Sequence, residues 1–199
     1  MPTVECDPAE ARERLEGAGV TVTPGNTEHE LWRAEHGDAT AVAYEGKVVV
    51  QGGTPERLVG LLRGSGGRAH VYFDGASRGN PGPAAVGYAV VTGDGIAAEG
   101  GETIGRVTNN QAEYHALVTA LEVAADFGFD EVHVRGDSEL IVRQVKGAWD
   151  TNDPELRELR VRARELLERF DEWTLEHVPR EINERADELA NEALDDARG

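Results

Sequence analysis

The sequence predicts an α/β protein in which a mixed five-stranded sheet carries helices on both faces, preceded by a small α/β domain. Between residues 69 and 197, three strand patterns come first and helical and strand patterns then alternate, which is typical of mixed sheets covered by helices. The glycine-rich segment 64–68 separates this part from the first 63 residues. We therefore predict domains at residues 1–63 and 69–199, joined by a linker at 64–68.

The first 63 residues contain patterns for two helices and three strands. Residues 10–17 and 55–63 predict helices, and apolar segments predict strands at residues 30–34, 39–44 and 47–51. A short exposed sheet that carries Trp32, Arg33 and Tyr44 would stack on nucleic acid. The alternative, in which Trp32 and Tyr44 pack the core of the small domain, is equally consistent with the pattern.

The second part begins with a strand at residues 69–73 and a hairpin that turns at Gly93-Asp94-Gly95. A proline at position 154 suits the first turn of a helix. The remaining patterns predict these elements in order: strands 84–92 and 96–105, helix 111–127, strand 131–135, helices 138–146 and 154–169, strand 173–178 and helix 184–197.

Four acidic residues stand in settings that a solvated surface charge does not require. Asp74 and Asp137 each follow an apolar strand pattern, and Glu113 and Asp187 each lie early in a helical pattern. Strand ends and helix starts can meet at one edge of a sheet. Because four carboxylates do not stay ionised together without cations, the set indicates hard metal ions such as Mg²⁺ or Mn²⁺.

Most of the 38 acidic residues must be solvated surface charges, so these four need a further argument. Glu113 shares a helical stripe with Leu117 and Leu121, and Asp187 shares one with Ala190 and Leu194. Both stripes face the predicted core. An acid on such a stripe needs a partner, which favours a functional cluster.

The charge of the chain predicts its environment. The formal net charge is −18, and Lys47 and Lys146 are the only lysines beside eighteen arginines. An acidic, lysine-poor surface suits high intracellular salt, where the repulsion is screened. We predict a halophilic source and a fold that salt stabilises; an ordinary acidic protein is the alternative. The same charge argues against generic nucleic-acid binding, which normally uses a basic surface.

Cys6 is the only cysteine, which excludes an internal disulfide and a cysteine-based zinc site. The N-terminus lacks a basic region followed by an apolar stretch, and no run approaches the length of a membrane span. We expect a cytoplasmic protein, without membrane partners and monomeric.

Four motifs, in order, resemble type 1 ribonuclease H over residues 69–197. They lie at residues 73–83, 108–117, 136–138 and 183–190. The resemblance implies the ribonuclease H-like fold and hydrolysis of the RNA strand of RNA–DNA hybrids, which gives 5′-phosphate and 3′-hydroxyl ends. It implies two Mg²⁺ or Mn²⁺ ions held by Asp74, Glu113, Asp137 and Asp187, with Asp74 bridging both ions and Glu113 beside the RNA 2′-hydroxyl.

The same resemblance implies that Gly75, Asn80, Asn109 and Asn110 bind the hybrid. Glycines at 75, 79 and 82 let the backbone approach a minor groove, where 2′-hydroxyls are displayed. Asn109 also suits the N-cap of the helix that carries Glu113, and the two roles are compatible. Residues 41–52 are similar to the substrate-binding domain of type 3 ribonucleases H, which implies a role in binding for the first domain.

The chain departs from bacterial members of the family at two places. The loop before the last helix is short, so His177 is interpreted as a strand residue and Arg180 or Glu181 takes the place of the family's loop histidine. The basic protrusion that grips hybrids is missing, and the Arg- and Glu-rich helix 154–169 is interpreted as an ion-paired surface. Archaeal-type members lack both features, and some cut RNA duplexes, which leaves that activity open here.

Two other functions compete with a hybrid-specific endoribonuclease. A non-catalytic protein that binds hybrids or duplexes would suit the extra domain, but would not need four clustered acids. A related nuclease, such as a junction resolvase or transposase, would share the sheet and the acids. The Thr108–Glu113 motif, which suits recognition of RNA 2′-hydroxyls, disfavours that second alternative.

Overall fold

The structure, a computed structural model, describes residues 2–53, 55–63, 67–93 and 95–197. Residues 64–66 of the predicted linker and Asp94 of the predicted turn lie outside the described residues. The chain separates into two compact units, the first made of residues 1–66 and 126–128 and the second of residues 67–125 and 129–199. The domain bounds of 1–63 and 69–199 stay a prediction.

The first unit is an antiparallel five-stranded sheet with two helices. Its strand order is β1-β5-β4-β3-β2. The sequence predicts β3, β4, β5 and both helices, but not the three-residue strands at the sheet edges, which are too short to show an alternating pattern. The elements are β1 (Thr3–Glu5), α1 (Pro8–Gly17), β2 (Val22–Pro24), β3 (Trp32–His36), β4 (Ala39–Tyr44), β5 (Lys47–Gly52) and α2 (Pro55–Arg63).

The core of the first unit is apolar and includes Trp32. This side chain is 4% exposed, and its Nε1 donates a hydrogen bond of 2.9 Å to the Pro8 carbonyl oxygen. A buried indole whose only polar atom is bonded internally is a packing residue. The packing interpretation is therefore correct for Trp32, and its predicted role in stacking on nucleic acid is wrong. Tyr44 and Arg33 are half-buried.

The second unit is a mixed five-stranded sheet in the order β10-β9-β6-β7-β8. The central strand β6 pairs antiparallel with β7 and parallel with β9, and β9 pairs parallel with β10. This confirms the predicted sheet. The elements are β6 (Arg68–Ser77), β7 (Gly82–Thr92), β8 (Gly95–Val107), α3 (Asn109–Asp126), β9 (Glu131–Gly136), α4 (Glu139–Val145), α5 (Pro154–Leu167), β10 (Glu172–His177), a 3₁₀ turn (Arg180–Ile182) and α6 (Glu184–Asp196).

Helices cover both faces of this sheet, as predicted. A Cβ on Gly75 would collide with the backbone of α3, whereas a Cβ on Gly87 would collide with the backbone of α6. Gly87 lies opposite Asp74 in the antiparallel register. Because Asp74 and Gly75 are consecutive strand residues, they face opposite sides of the sheet, and so do the two helices.

The Arg-rich helix α5 does not pair with its own glutamates in the way the sequence predicts. The Nε atoms of Arg157 and Arg164 donate to the carbonyl oxygens of Thr151 and Val145, each at 2.9 Å. Arg162 forms an ion pair of 2.9 Å with Glu122 of α3. These arginines therefore anchor the segment between α4 and α5 and tie α5 to α3.

Over the described ranges of the chain, no helix combines the length and the apolar character needed to cross a membrane.

Candidate metal centre

The two strand acids meet beyond the parallel part of the sheet. The parallel register of β6 with β9 ends at the pair Tyr72 and Arg135, whereas the antiparallel register with β7 continues to Ser77. The sequence predicts that β6 ends before Asp74, but the long hairpin partner extends the strand past it. Asp74 is only 4% exposed, and Asp137 follows the last residue of β9.

Helix α3 brings the third acid to this place. Gly75 allows the helix backbone at Ala112 and Glu113 to lie against β6, where any side chain would collide with it. The Gly75 amide also donates a hydrogen bond of 3.3 Å to Glu113 Oε2. The glycine therefore sets both the approach of the helix and the orientation of the carboxylate. Glu113 is half-buried.

Carboxylate oxygens of Asp74, Glu113 and Asp137 lie within 4.8 Å of one another. Burial first, and then the charges of its neighbours, raises the pKa of Asp74 to about 9. Burial first, and then the charge of Asp137, raises the pKa of Glu113 to about 8, although the bond from the Gly75 amide opposes the change. Such crowding favours protonation unless cations are bound.

The fourth predicted acid lies beside this cluster. Asp187 is in the first turn of α6 and lines the same cleft as the other three acids. Its Oδ1 accepts a bond of 2.7 Å from Arg180 Nη2, and this bond raises the pKa of Arg180. The structure thus brings all four acids to one cleft, three of them as a tight group and Asp187 in an ion pair.

The approach of α6 to the sheet has a local cause. Gly87 of β7 and Gly101 of β8 lie opposite each other, and a Cβ on either residue would collide with a backbone oxygen of α6. Two facing glycines let the helix lie close to the strands. This contact places Asp187, one turn into the helix, at the edge that carries Asp74.

The predicted substrate-binding residues surround the start of α3. Thr108 and Gln111 form a capping box. The backbone N–H of Gln111 donates to Thr108 Oγ1 at 3.2 Å, and the backbone N–H of Thr108 donates to Gln111 Oε1 at 2.9 Å. The predicted N-cap role of Asn109 is therefore wrong, because Thr108 occupies that position. Asn80 Oδ1 accepts a hydrogen bond of 3.1 Å from the backbone N–H of Asn109.

The four residues predicted to bind the substrate lie in different positions relative to the cleft. Gly75 and Asn109 line the cleft, and Asn80 connects the loop after β6 to α3. Asn110 has an exposed side chain and does not line the cleft. Three further lining residues were not predicted from the sequence: Ala76, Ser77 and Asn191. Asn191 had a detectable signal, because it lies four residues after Asp187 on the same helix face.

His177 is the last residue of β10, in agreement with its interpretation as a strand residue. Its Nε2 lies 3.1 Å from the carbonyl oxygen of Asp137. Of the two candidates for the position of the loop histidine, Arg180 lines the cleft and Glu181 does not.

The donor set fits a divalent cation. The clustered ligand atoms are all carboxylate oxygens, which hard ions such as Mg²⁺, Mn²⁺ and Ca²⁺ prefer. Asp74 is buried among other acids, and the described residues that line the cleft include one cation, Arg180, which bonds to Asp187. A positive ion beside the three carboxylates would offset the burial and the repulsion that raise the pKa values of Asp74 and Glu113.

Known proteins resemble the chain at the level of sequence and structure. A family model described as reverse transcriptase-like matches residues 72–193. Ribonuclease HI of Halobacterium salinarum is 65% identical over 199 residues, which cover 99% of this chain and 100% of that protein.

Two solved structures resemble the chain in the same way. RNase H1 from the halophilic archaeon Halobacterium salinarum has a TM-score of 0.64 and 72% identity, and the match covers 65% of this chain and 99% of that one. LC11-RNase H1, crystallised in complex with an RNA/DNA hybrid, has a TM-score of 0.62 and 42% identity, covering 66% of this chain and 99% of that one.

Proposed function

Because the chain belongs to the type 1 ribonuclease H family, we propose that it is an endoribonuclease that hydrolyses the RNA strand of RNA–DNA hybrids. The observation that carries this proposal is the group of three carboxylates within 4.8 Å, one of them buried, at the edge of a ribonuclease H-like sheet. A protein that only binds nucleic acid would have no use for such a repulsive group.

Asp74, Glu113 and Asp137 would hold the metal, and Asp187 would complete the site. Two Mg²⁺ or Mn²⁺ ions held there would supply activation of the attacking water and stabilisation of the leaving 3′-oxygen, for a reaction that gives 5′-phosphate and 3′-hydroxyl ends. Arg180 bonds to Oδ1 of Asp187, which leaves Oδ2 to serve as a metal ligand. The guanidinium lines the cleft, and its other N–H groups can bond to a phosphate of the substrate.

The RNA strand would lie along the start of α3 and the loop after β6. Asn109 lines the cleft, and its side chain is exposed because Thr108 and Gln111 cap the helix in its place. Asn110 is exposed next to it. We assign contacts with the hybrid to these two side chains and to the backbone at Gly75, with Asn80 holding the loop against α3.

The wider setting follows from the sequence. We infer a cytoplasmic monomer whose catalytic domain spans residues 69–199, with a first domain at 1–63 that assists substrate binding through surfaces other than Trp32. The hybrid is the expected partner. An RNA duplex is the alternative substrate, to be separated by experiment.

The test is cleavage of one labelled RNA strand, presented as a hybrid, as an RNA duplex and alone, in Mg²⁺ or Mn²⁺ at high salt. We expect cutting of the hybrid and loss of cutting in Asp137→Asn with the fold retained. Asp130→Asn, on the exposed loop before β9, is the matched control with the same loss of charge. Binding of the hybrid without cleavage by the unmodified protein would overturn the proposal, and cutting of the duplex would widen the substrate class.

A further inference from the structure

The fourth sequence motif begins with Asn183, a buried amide that the proposed mechanism does not use. Asn183 is 1% exposed and occupies the N-cap position of α6. An asparagine at this position usually accepts a hydrogen bond from the backbone of the helix's first turn. Here the side chain makes no capping bond. Capping of α6 therefore does not explain why an asparagine is buried at this position.

The amide nitrogen of Asn183 is bonded to the central strand instead. Its Nδ2 donates a buried hydrogen bond of 2.8 Å to the carbonyl oxygen of Phe73. Phe73 directly precedes Asp74 in β6, and Asn183 lies four residues before Asp187 in the chain. One side chain thus joins the two elements that carry the first and the last acid of the cleft.

The contacts of α6 with the sheet do not by themselves fix the position of the helix along the strands. Gly87 and Gly101 set how closely the helix approaches the strands. Close approach alone permits a helix to slide or rotate on a glycine surface. A directional hydrogen bond from the N-cap residue fixes the start of the helix relative to Asp74.

The oxygen of the same amide supplies a second, independent observation. Asn183 Oδ1 is buried and has no hydrogen-bond partner among the described residues. A buried acceptor without a donor is unfavourable, and such groups usually receive an ordered water. The amide therefore has one bond made to the strand and one acceptor open to a water molecule.

We propose that Asn183 is a positioning residue of the metal centre, which holds Asp187 at a fixed distance from Asp74 through its bond to the Phe73 carbonyl. Loss of a residue that orients metal ligands typically lowers metal affinity or activity by about 10- to 100-fold. The proposal rests on the proposed function only in assuming that a divalent ion binds between these acids.

The test compares Asn183→Ala with Gln144→Ala in the full chain. Gln144 is the control, because it is a buried amide, 6% exposed, that does not line the cleft. Its Nε2 donates to the Asp150 carbonyl oxygen at 3.3 Å, and its Oε1 accepts a bond of 3.0 Å from the Tyr114 hydroxyl. Binding of Mn²⁺ is measured by titration calorimetry without substrate, and unfolding by circular dichroism. We expect the Mn²⁺ dissociation constant to rise about 10-fold in Asn183→Ala and to stay unchanged in Gln144→Ala.

Asn183→Ser retains a shorter hydrogen-bond donor, so we expect a smaller rise in its Mn²⁺ dissociation constant. This variant replaces Asn183→Ala in the test if the alanine variant does not fold. Unchanged Mn²⁺ binding in the folded variant, or an equal loss in Gln144→Ala, would overturn the positioning role. Because the readout is metal binding, it is independent of whether hybrids are cleaved. A protein that binds Mn²⁺ normally but cuts no hybrid would refute the proposed function and leave this inference intact.

Discussion

The two units of the chain use five-stranded sheets in opposite ways. In the first unit the described buried residues are apolar, and Trp32 bonds its one polar atom to the backbone. In the second unit Asp74, Gln144, Thr151 and Asn183 are all buried. Buried polar groups lower stability unless they are satisfied. Of these four residues, Asp74 lines the cleft and Asn183 joins β6 to α6, whereas Gln144 and Thr151 bond within the segment between α4 and α5.

The two units differ little in net charge per residue, but they differ in where the charges lie. The first unit has 12 acidic and 6 basic residues among 69, and the second has 26 and 14 among 130. The net charge per residue is therefore nearly equal. What differs is that the second unit gathers three carboxylates within 4.8 Å, which is the feature that a metal ion would relieve.

The largest effect should come from Asp74→Asn. We expect activity to fall by about 10³-fold or more, because several kcal/mol of metal-dependent stabilisation of the transition state is lost. Without metal, the variant should unfold at a higher temperature, since the repulsion with Glu113 and Asp137 is weaker. Asp7→Asn, which retains an N-cap on α1 in the first unit, is the control and should change neither quantity. A variant with normal metal-dependent cleavage would contradict the role of the cluster.

Trp32→Ala should affect stability and leave catalysis intact. Loss of a buried indole typically costs about 3–5 kcal/mol, and this loss should fall on the first unit alone. Two-step thermal unfolding, with only one step moved, is the expected result. Hybrid cleavage at saturating substrate should stay within about two-fold, because Trp32 is buried and cannot stack on a base. A selective loss of hybrid affinity with unchanged unfolding would restore the stacking role.

Arg180→Ala should have a smaller effect on activity than Asp74→Asn. It should improve the binding of Mg²⁺ but lower the turnover rate. The ion pair with Asp187 disappears, so the half-saturating Mg²⁺ concentration should fall. The turnover rate should also fall, by about 10-fold, if the guanidinium contacts a phosphate, since one such charge-assisted bond is worth about 1.5–3 kcal/mol. Arg180→Lys should restore part of the rate. Steady-state kinetics over a range of Mg²⁺ concentrations separates the two effects, and a rise in the metal requirement would contradict the ion-pair argument.

The sequence could predict elements whose signals are local. Apolar patterns followed by an acid located Asp74 and Asp137, and β4 has the predicted bounds of 39–44. The sequence does not predict the edge strands β1 and β2, because three residues show no period. The Thr108 and Gln111 spacing is itself a capping-box signal, so the cap of α3 was available from the sequence.

Other features depend on contacts between distant residues. The bond of Asn183 to Phe73 joins positions 110 residues apart, and nothing in the motif around Asn183 indicates it. The ion pair of Arg180 with Asp187 requires the 3₁₀ turn Arg180–Ile182, whose three residues give no periodic pattern. The close seat of α6 on Gly87 and Gly101 likewise becomes visible only when β7 and β8 are paired.

The pH dependence of stability should separate the units further. The folded-state pKa values of Asp74 and Glu113 are raised to about 9 and about 8, above their ordinary values near 4. Their contribution to stability in the metal-free protein is thus fully present below about pH 4 and is lost as the pH rises through 8 to 9. Because ions bind the ionised forms, Mg²⁺ should raise the unfolding midpoint of the second unit more at pH 9 than at pH 6. Asp74→Asn should reduce that difference.

Salt should act on both units alike, in contrast to metal. Their similar charge densities mean that screening relieves a similar repulsion per residue, so molar KCl should raise both unfolding midpoints by several degrees. Added Mg²⁺ at constant high salt should raise only the second midpoint. The measurement is differential scanning calorimetry with KCl and Mg²⁺ varied independently, and Asp74→Asn serves as the metal-blind control. If salt moved only the second midpoint, its effect would lie in the carboxylate cluster, and the halophilic interpretation of the whole surface would be wrong.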